Sequence, residues 1–417
     1  MTKMVKQDKN IENFPNLRFP GFQEDWEVKK LGELLEFKNG INSSKEQYGK
    51  GVKFINVLDI LNNDFITYAN IVGKVDVDSH IMEKFSVQYG DVLFQRSSET
   101  REEVGTANVY LDEQKNATFG GFVIRGRKIG DYEPTFFNNL LKTDSARESI
   151  TTRSGGSTRF NVGQEILSSI ALYFPALEEQ KKISTFLTVI NSRIHTQKKI
   201  IENLKLQKNI IVKRIFSQGL QLKNINENSF PKWIEKKLGD ITKIVNKRNK
   251  NNEKLPVYSI NNKLGFVPQN EQFEGIDSDE RGYDIKLYKI INKNTFAYNP
   301  ARINVGSIGY SNNLENIIIS SLYVCFKSKQ EINDAFLFQY LKTDMFNKKV
   351  LKNVEGGVRD YLFYENFSRI RVNIPSLEEQ NKIAQILSSF DEKINLEIDL
   401  LSQYELQKKY LVSNLFV

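Results

Sequence analysis

The stretch 175–194 reads PALEEQKKISTFLTVINSRI, and the stretch 375–394 reads PSLEEQNKIAQILSSFDEKI. The two are offset by 375 − 175 = 200 residues, and they stay aligned without a gap as far as Phe216 and Phe416. After the opening proline neither copy contains Gly or Pro, which is typical of a long helix with Pro at its start. The sequence therefore predicts two equivalent long helices that arose by an internal duplication.

Apolar residues recur in both predicted helices at steps of mostly four and three. They are Ile183, Leu187, Ile190, Ile194, Ile201, Leu204, Ile211 and Ile215 in the first copy, and Ile383, Leu387, Phe390, Ile394, Leu401, Tyr404, Leu411 and Leu415 in the second. This spacing of about 3.5 residues is typical of the seam of a coiled coil. The polar residues that interrupt both seams at equivalent places are Gln197, Glu397, Lys208 and Lys408.

An apolar seam of this length needs a covering partner. About 40 residues at 1.5 Å each form a helix of roughly 60 Å. Each helix could pack only on its own globular domain, or the two helices could pair with each other. Pairing is favoured because the seams are equally long and are interrupted in register. The second helix must return towards the first, so we predict an antiparallel pair with a pseudo-twofold axis and one globular unit at each end.

Shorter pieces of sequence repeat as well. The pattern W-x-x-K-K-L-G begins at Trp26 and again at Trp233, which are the only two tryptophans, and LKTD occupies both 141–144 and 341–344. The duplication therefore covers whole units rather than the helices alone. Around Trp26, the apolar residues within 28–35 are spaced as in a short helix.

The remaining sequence of each unit is rich in short runs of β-branched and aromatic residues cut by Gly, Asn and Asp, which is typical of strands. The predicted fold class is α+β, with two globular mixed α/β domains joined by two long antiparallel coiled-coil helices in a pseudo-twofold internal repeat. The predicted boundaries are a polar tail over 1–15, globular domains over 16–174 and 218–373, and helices over 175–217 and 374–417.

Composition favours an anionic partner and an intracellular protein. The 417 residues include 59 Lys and Arg and 51 Asp and Glu, a net charge of +8. This excess favours binding to a polyanion, although a basic surface without a function is the alternative. The single cysteine, Cys325, excludes an intrachain disulfide and fits a reducing compartment. Neither a signal peptide nor a run of ~20 apolar residues is present, so we expect a cytoplasmic protein without a membrane span.

The chain lacks the sequence motifs of an adenine methyltransferase, of a P-loop ATP-binding site and of a His/Cys zinc site. The nearest match to an adenine methyltransferase motif, Asn299–Pro300–Ala301–Arg302, lacks the second proline and the aromatic residue and is interpreted as a turn. No P-loop sequence occurs, so ATP is not expected to bind through one. With His80, His195 and Cys325 as the only His and Cys residues, a His/Cys zinc site is not expected. We therefore expect no catalysis, cofactor or metal in this chain.

Recognition of DNA bases requires polar side chains on loops that enter a groove, with further cations on phosphates. In the first unit the candidates are Arg96, Ser97, Ser98, Thr100, Arg101, Arg153, Ser157, Thr158 and Arg159. In the second unit they are Lys247, Arg248, Arg302, Asn304, Lys352, Arg359 and Tyr361. The loops at Gly155–Gly156 and Gly356–Gly357 are favoured because glycine lets a backbone approach a phosphate closely and an arginine follows each pair.

The chain resembles the specificity subunit of type I restriction-modification enzymes. The resemblance rests on the opening RFPGFxxxWxxxKLGEL, on LKTD, on the GG-x-x-R loop and on P-x-LEEQ-x-K-I before a long helix, and it covers nearly the whole chain in both halves. It implies that each globular unit is a target-recognition domain for one half of a bipartite double-stranded DNA site. The helices would set the gap between the halves.

The resemblance also implies partners and cofactors held by other chains. Two methyltransferase (modification) subunits would dock on the helices and bind S-adenosylmethionine, and restriction/translocase subunits would use ATP and Mg. Apolar residues outside the seam that could help dock these partners are Ile200, Ile210, Leu396 and Ile398. The alternative function is a coiled-coil scaffold or regulator that links two protein-binding modules.

Overall fold

The computed structural model describes residues 14–272, 284–354 and 361–417. The chain divides into two compact units. The first unit comprises Met1–Lys198 and Leu400–Val417, and the second comprises Lys199–Asp399. Both long helices contribute to both units, because the divisions fall within them.

The first unit holds eleven of the strands in the described residues. They are β1 (Glu27–Lys30), β2 (Leu35–Asn39), β3 (Tyr48–Ile55), β4 (Lys74–Val75), β5 (Val92–Gln95), β6 (Ser97–Ser98), β7 (Ala107–Val109), β8 (Thr118–Phe119), β9 (Val123–Lys128), β10 (Phe160–Asn161) and β11 (Ala171–Phe174). Its helices are α1 (Leu31–Leu34), α2 (Val57–Leu61), α3 (Ser79–Lys84), α4 (Pro134–Leu140), α5 (Asp144–Thr151) and α6 (Gln164–Ser169), followed by the start of α7 (Leu177–Phe216).

The second unit follows the same order. Its strands are β12 (Ile234–Lys237), β13 (Thr242–Ile244), β14 (Val257–Asn261), β15 (Gly265–Pro268), β16 (Lys289–Ile291), β17 (Phe296–Tyr298), β18 (Ile308–Tyr310), β19 (Ile317–Ile319), β20 (Val324–Ser328) and β21 (Arg371–Ile374). Its helices are α8 (Leu238–Ile241), α9 (Gln269–Gln272), α10 (Asp334–Leu341), α11 (Asp344–Leu351), α12 (Tyr364–Arg369) and most of α13 (Leu377–Leu415).

The two units share one topology. Each has a four-stranded antiparallel sheet, ordered β2-β9-β5-β7 in the first unit and β13-β20-β17-β18 in the second. Each has a two-stranded ribbon, β1-β11 or β12-β21, and a further sheet with one parallel pair. That sheet is β4-β3-β8 in the first unit, with β3 parallel to β8, and the four-stranded β15-β14-β19-β16 in the second, with β14 parallel to β19. The internal duplication predicted from the sequence is therefore present in the topology of the fold.

The repeated motifs have structural roles at helix starts. Thr143 and Thr343 of the two LKTD segments are the N-caps of α5 and α11, where each side chain accepts a hydrogen bond from a backbone N–H three residues later. The helical pattern predicted over 28–35 is only partly correct. Glu27–Lys30 is the strand β1, paired with β11, and only Leu31–Leu34 is helical. The pairing with β11, a partner far away in the sequence, outweighs the local helical spacing.

The glutamine of P-x-LEEQ fastens each long helix to its unit. In the first unit the Gln180 side chain accepts a hydrogen bond from the backbone N–H of Glu133 at 2.9 Å and donates one to the carbonyl of Pro175 at 2.9 Å. In the second, Gln380 repeats both bonds with Asn333 and Pro375, at 2.8 and 3.0 Å. Both glutamines are buried, so their polar groups depend on these partners.

The second glutamate of the motif is also buried, but its carboxylate accepts hydrogen bonds from different donors in the two units. In the first unit Glu179 accepts two 2.8 Å hydrogen bonds from the guanidinium of Arg18. In the second, Glu379 accepts a 3.1 Å bond from the indole N–H of Trp233. Burial raises the pKa of Glu379, and the bond from Trp233 opposes that rise. The same motif thus anchors the N-terminal segment of each unit through a different donor.

Each unit's core contains the C-terminal end of the long helix from the other repeat. In the first unit, Phe416 lies 5.2 Å from Phe136 and 6.4 Å from Trp26, between ring centroids. In the second, Phe216 contacts Phe336 at 5.6 Å and Trp233 at 6.3 Å. The end of α13 thereby completes the first core, and the end of α7 completes the second.

Within each unit the helix segments run antiparallel, as predicted. In the first unit Leu187 shares a core with Leu415, and further along Lys198 pairs with Glu405 at 3.0 Å. The interpretation in which each helix packs only on its own globular domain is therefore wrong. The predicted seam residues are buried or half-buried throughout both helices. Among the described residues, no helix is long and apolar enough to cross a bilayer.

The lysines that interrupt the seams lie next to the lysines of LKTD. In the second unit Lys208 forms an ion pair with Asp391 at 2.6 Å, and Gln339 donates to the same carboxylate at 2.8 Å. Burial and the charge of Lys208 lower the pKa of the neighbouring Lys342. In the second unit, the lysine that interrupts the apolar seam thus forms a specific polar contact with the other long helix.

Phe416→Ala should destabilise the first unit by about 3–5 kcal/mol, because it leaves a cavity against Trp26 and Phe136. Urea unfolding followed by circular dichroism measures the change in the free energy of unfolding. The matched control is Phe122→Ala, since Phe122 is 62% exposed and its truncation should change stability by no more than ~0.5 kcal/mol. Equal effects of the two substitutions would contradict the role of Phe416.

Candidate nucleic-acid interface

Two candidate segments of the first unit lie side by side. Strand β6 pairs with β10, so that Ser98 lies opposite Phe160 and Ser97 opposite Asn161. The backbone N–H of Val162 also donates to the carbonyl of Arg96 at 3.0 Å. These bonds bring the segment 96–101 and the loop 153–161, which are about 55 residues apart in sequence, to one place on the surface.

The glycine-rich loop of the first unit is closed on itself. Gly155 and Asn161 exchange two backbone hydrogen bonds, of 3.0 and 2.8 Å. Gly156 has a φ of +120°, and a Cβ there would lie 2.0 Å from the carbonyl oxygen of Arg159. Only glycine fits this position without strain. The closed loop presents Ser157, Thr158 and Arg159, all exposed, at its tip.

The arginines around this loop differ in how firmly they are held. Arg101 stacks its guanidinium over the Phe160 ring at 5.2 Å, and Arg153 donates to the carbonyl of Ser149 at 2.7 Å. Arg96 makes a long 3.4 Å bond to the carbonyl of Gly121. The Arg159 guanidinium makes no hydrogen bond or ion pair with any residue in the part of the chain that the structure describes. It is therefore the cation most available to an external anion.

Ser98 has a different position from the other candidates. It is buried, its hydroxyl donates to Glu103 at 2.9 Å, and the same oxygen accepts a bond from the backbone N–H of Thr100. Its side chain therefore holds the turn that follows β6. Ser97 is half-buried and Thr100 is exposed, so these two can reach a ligand.

In the second unit, Arg302 and Asn304 lie at a short 3₁₀ turn, Ile303–Val305, that ends at Gly306 with a φ of +86°. The backbone N–H of Leu362 donates to the carbonyl of Pro300 at 3.1 Å, which brings Tyr361 close to this turn. Lys352 caps α11, whose residues pack against the same turn. Arg302, Asn304 and Tyr361 therefore form one group, and Lys352 ends the helix that packs against it; Arg302 and Lys352 are exposed. Gly356, Gly357 and Arg359 lie outside the described residues.

Lys247 and Arg248 lie along β16. The backbone carbonyl of Lys247 accepts a 2.8 Å hydrogen bond from the backbone N–H of Ile290, and the backbone of Arg248 forms an isolated antiparallel β-bridge with Lys289. Lys289 in turn donates to the carbonyl of Tyr323 at 2.6 Å. Burial raises the pKa of Tyr323, and the positive charge of Arg302 opposes that rise. The carbonyl of Tyr323 thus holds the Lys289 side chain beside the Lys247–Arg248 segment.

The sequence analysis missed a group of cations on β2 and β9. Lys38 lies opposite Arg125 in the β2–β9 register, and Arg127 follows two residues later on the same face. Lys84 is the last residue of α3 and its carbonyl accepts a bond from Lys38, whereas the carbonyl of Ser86, two residues beyond the helix, accepts one from Arg125. The alternating Arg125-Gly-Arg127 pattern was visible in the sequence, but its proximity to Lys38 and Lys84 depends on pairing across the sheet. In the described residues, no cluster of three or more His, Cys, Asp or Glu side chains could hold a metal ion.

Comparison with known proteins gives a consistent result over both units. The family model described as "Type I restriction modification DNA specificity domain" matches residues 23–206 and again residues 231–405. The type I restriction enzyme MjaIX specificity subunit of Methanocaldococcus jannaschii is 24% identical over 404 residues, covering 89% of this chain and 88% of that protein.

Solved structures share the fold. The S subunit of a type I restriction-modification system from M. genitalium superposes with a TM-score of 0.57 at 17% identity, covering 97% of this chain and 99% of that one. A chain from a study of complex assembly and conformational transition in the type I R-M system gives a TM-score of 0.58 at 14% identity, covering 95% and 98%.

Arg159→Ala should weaken the DNA affinity of the assembled complex several-fold, because it removes the available cation at the loop tip. Gly156→Ala should have a similar effect by forcing the closed loop to rearrange. Fluorescence anisotropy with a labelled duplex measures both. Lys181→Ala is the control, since Lys181 pairs with Glu178 on the surface of α7. Wild-type affinity of both loop variants at physiological salt would contradict the assignment.

Proposed function

Because the chain belongs to the family of type I restriction-modification DNA specificity proteins, we propose that each unit recognises one half of a bipartite double-stranded DNA site. In this role the chain is a recognition subunit and not an enzyme. The observation that carries the proposal is that the specificity-domain model matches this chain twice, and that each matched unit has exposed cations.

The two units should recognise different half-sites. Their motifs and helix anchors repeat, whereas the candidate DNA-binding residues in the described parts of the two units differ in chemistry. The first unit offers a closed loop with Arg159 at its tip, and the second offers Arg302 and Asn304 on a 3₁₀ turn. Base recognition depends on which donors and acceptors enter a groove, so different side chains on a shared scaffold favour different targets.

The long helices suit the role of a spacer. The α7 helix has 40 residues and α13 has 39, so each is roughly 60 Å long. Paired DNA readers place half-sites about one or two helical turns apart, at ~34 Å per turn. We therefore assign the gap between the two half-sites to the length of these helices.

The helices also offer a surface for protein partners. Ile200, Ile210, Leu396 and Ile398 are between 37% and 69% exposed although they are large and apolar. Exposed apolar residues on a long helix are typical of a docking surface. We assign it to two methyltransferase subunits, with restriction/translocase subunits joining that complex in the cytoplasm. S-adenosylmethionine would then be bound by the methyltransferase, and ATP and Mg by the translocase.

Methylated-base sequencing tests the proposed function directly. DNA is sequenced from cells that express this chain together with its cognate methyltransferase subunit, and from cells that express the methyltransferase alone. We expect methyl-adenine at one split motif, only when this chain is present. Replacing residues 218–373 by the corresponding domain of a relative should change one half of the motif and leave the other unchanged.

Two outcomes would contradict the proposal. The first is no new methylation although the complex is shown to assemble, which would favour a coiled-coil scaffold that links two protein-binding modules. The second is a change in both halves of the motif after the replacement, which would show that one unit does not recognise one half-site by itself.

A further inference from the structure

Four cations of the first unit gather where β2 and β9 meet the carboxyl end of α3. Arg125 and Arg127 both donate to the carbonyl of Ser86, each at 2.5 Å. Lys38 donates to the carbonyl of Lys84 at 3.3 Å. Backbone carbonyls carry only partial negative charge, so these bonds orient the cations without neutralising them.

The carboxylates nearby are too few to balance this cluster. Asp91 lies 3.5 Å from the Nε of Arg127, and Glu36 lies opposite Arg127 in the strand register. Lys38, Arg125 and Arg127 against these two carboxylates leave an excess of one positive charge, and the charge of Lys84 acts on Lys38 as well. Like charges that lie close together and are partly buried repel one another, which is unfavourable. An anion bound here would relieve that repulsion.

The buried member of the cluster supplies a second observation. Arg125 is only 5% exposed, and its Nε has no hydrogen-bond partner among the described residues. A buried donor without a partner is unfavourable, and such groups are rare outside functional or water-filled sites. Burial lowers the pKa of Arg125, and the charge of Arg127 lowers it further. Burial and the charges of Lys84 and Arg125 likewise lower the pKa of Lys38.

The cluster is accessible from solvent and close to the candidate loops. Lys84 is exposed, and Lys38 and Arg127 are half-buried. The backbone N–H of Arg96 donates to the carbonyl of Phe122, directly before β9 begins. Three residues of strand at about 3.4 Å each separate Phe122 from Arg125, a distance of roughly 10 Å. DNA that reaches Arg96 and the loop 153–161 could therefore also reach this cluster.

The second unit does not repeat the cluster. The first pair of the β2–β9 ladder is Leu35 with Lys128, and the first pair of the equivalent β13–β20 ladder is Thr242 with Ser328. Counting from these pairs, the places of Lys38, Arg125 and Arg127 are taken by Val245, Cys325 and Lys327. Only the place of Arg127 keeps a cation, so the shared fold does not require the whole cluster.

We propose that Lys38, Lys84 and Arg127, supported by the buried Arg125, bind a phosphate group of the DNA backbone next to the half-site that the first unit recognises. This inference rests on the proposed function, because it takes DNA as the anion. A phosphate contact positions the protein and carries no base information. The cluster should therefore contribute affinity and register, whereas the loops determine which bases are recognised.

The salt dependence of DNA binding tests this assignment. The chain is purified with its methyltransferase subunits, and the Kd for a duplex carrying the methylated motif is measured at several salt concentrations. Lys84→Gln and the double variant Lys38→Gln/Lys84→Gln should bind several-fold more weakly than wild type. The slope of log K against log salt should become shallower by about 0.9 for each phosphate that the variant no longer neutralises. The methylated motif itself should not change.

Lys327→Gln is the control, since it removes one lysine from the place in the second unit that corresponds to Arg127, where the cluster is not repeated. Its slope should stay at the wild-type value. Lys84→Gln should not disturb folding, because the Lys84 side chain makes no hydrogen bond or ion pair with the described residues. A weaker DNA affinity of this variant therefore cannot be attributed to misfolding. An unchanged slope in both cluster variants, with specific binding by the wild-type complex, would overturn this inference alone. Absence of specific DNA binding by the wild-type complex would overturn the proposed function as well.

Discussion

The fold depends on an exchange of aromatic helix ends between the two repeats. Phe416 lies in the core of the first unit and Phe216 in that of the second, each against the tryptophan of the repeated W-x-x-K-K-L-G pattern. A helix that only packed along its own domain would leave both cores incomplete. Because each repeat closes the other, neither unit is a self-contained segment of sequence. The backbone of Leu17 strengthens the first closure by donating to the carbonyl of Asn414 at 2.8 Å.

The repeated motifs can be understood as the parts that make this exchange possible. Gln180 and Gln380 fix where each long helix begins, by bonding to the N-cap of α4 or α10, the helix that precedes Thr143 or Thr343. The buried glutamate before each glutamine fixes the N-terminal segment, through Arg18 in one unit and Trp233 in the other. The buried position of this glutamate is the same in both units, but the residue that donates a hydrogen bond to it differs. The sheets between the anchors are then free to carry different surface residues.

The sequence predicted those features that are local or duplicated. The long helices, their seam and the repeated units follow from periodicity and offset, and the structure confirms them. The strand Glu27–Lys30 was missed because its partner, β11, lies about 145 residues away in the sequence. The burial of Ser98 and the cation cluster around Arg125 were missed for the same reason. The sequence identifies a polar residue, but its tertiary contacts decide whether its side chain faces Glu103, the carbonyl of Ser86 or solvent.

We propose that this one chain holds two separate DNA readers. Hydroxyl-radical footprinting of the assembled complex on its methylated motif tests it most directly, because the cleavage pattern records which sugars are covered. We predict two protected stretches with a less protected gap between them, and loss of only the stretch belonging to the first unit when Arg159 is replaced by alanine. A single continuous footprint, or loss of both stretches together in that variant, would contradict two independent readers.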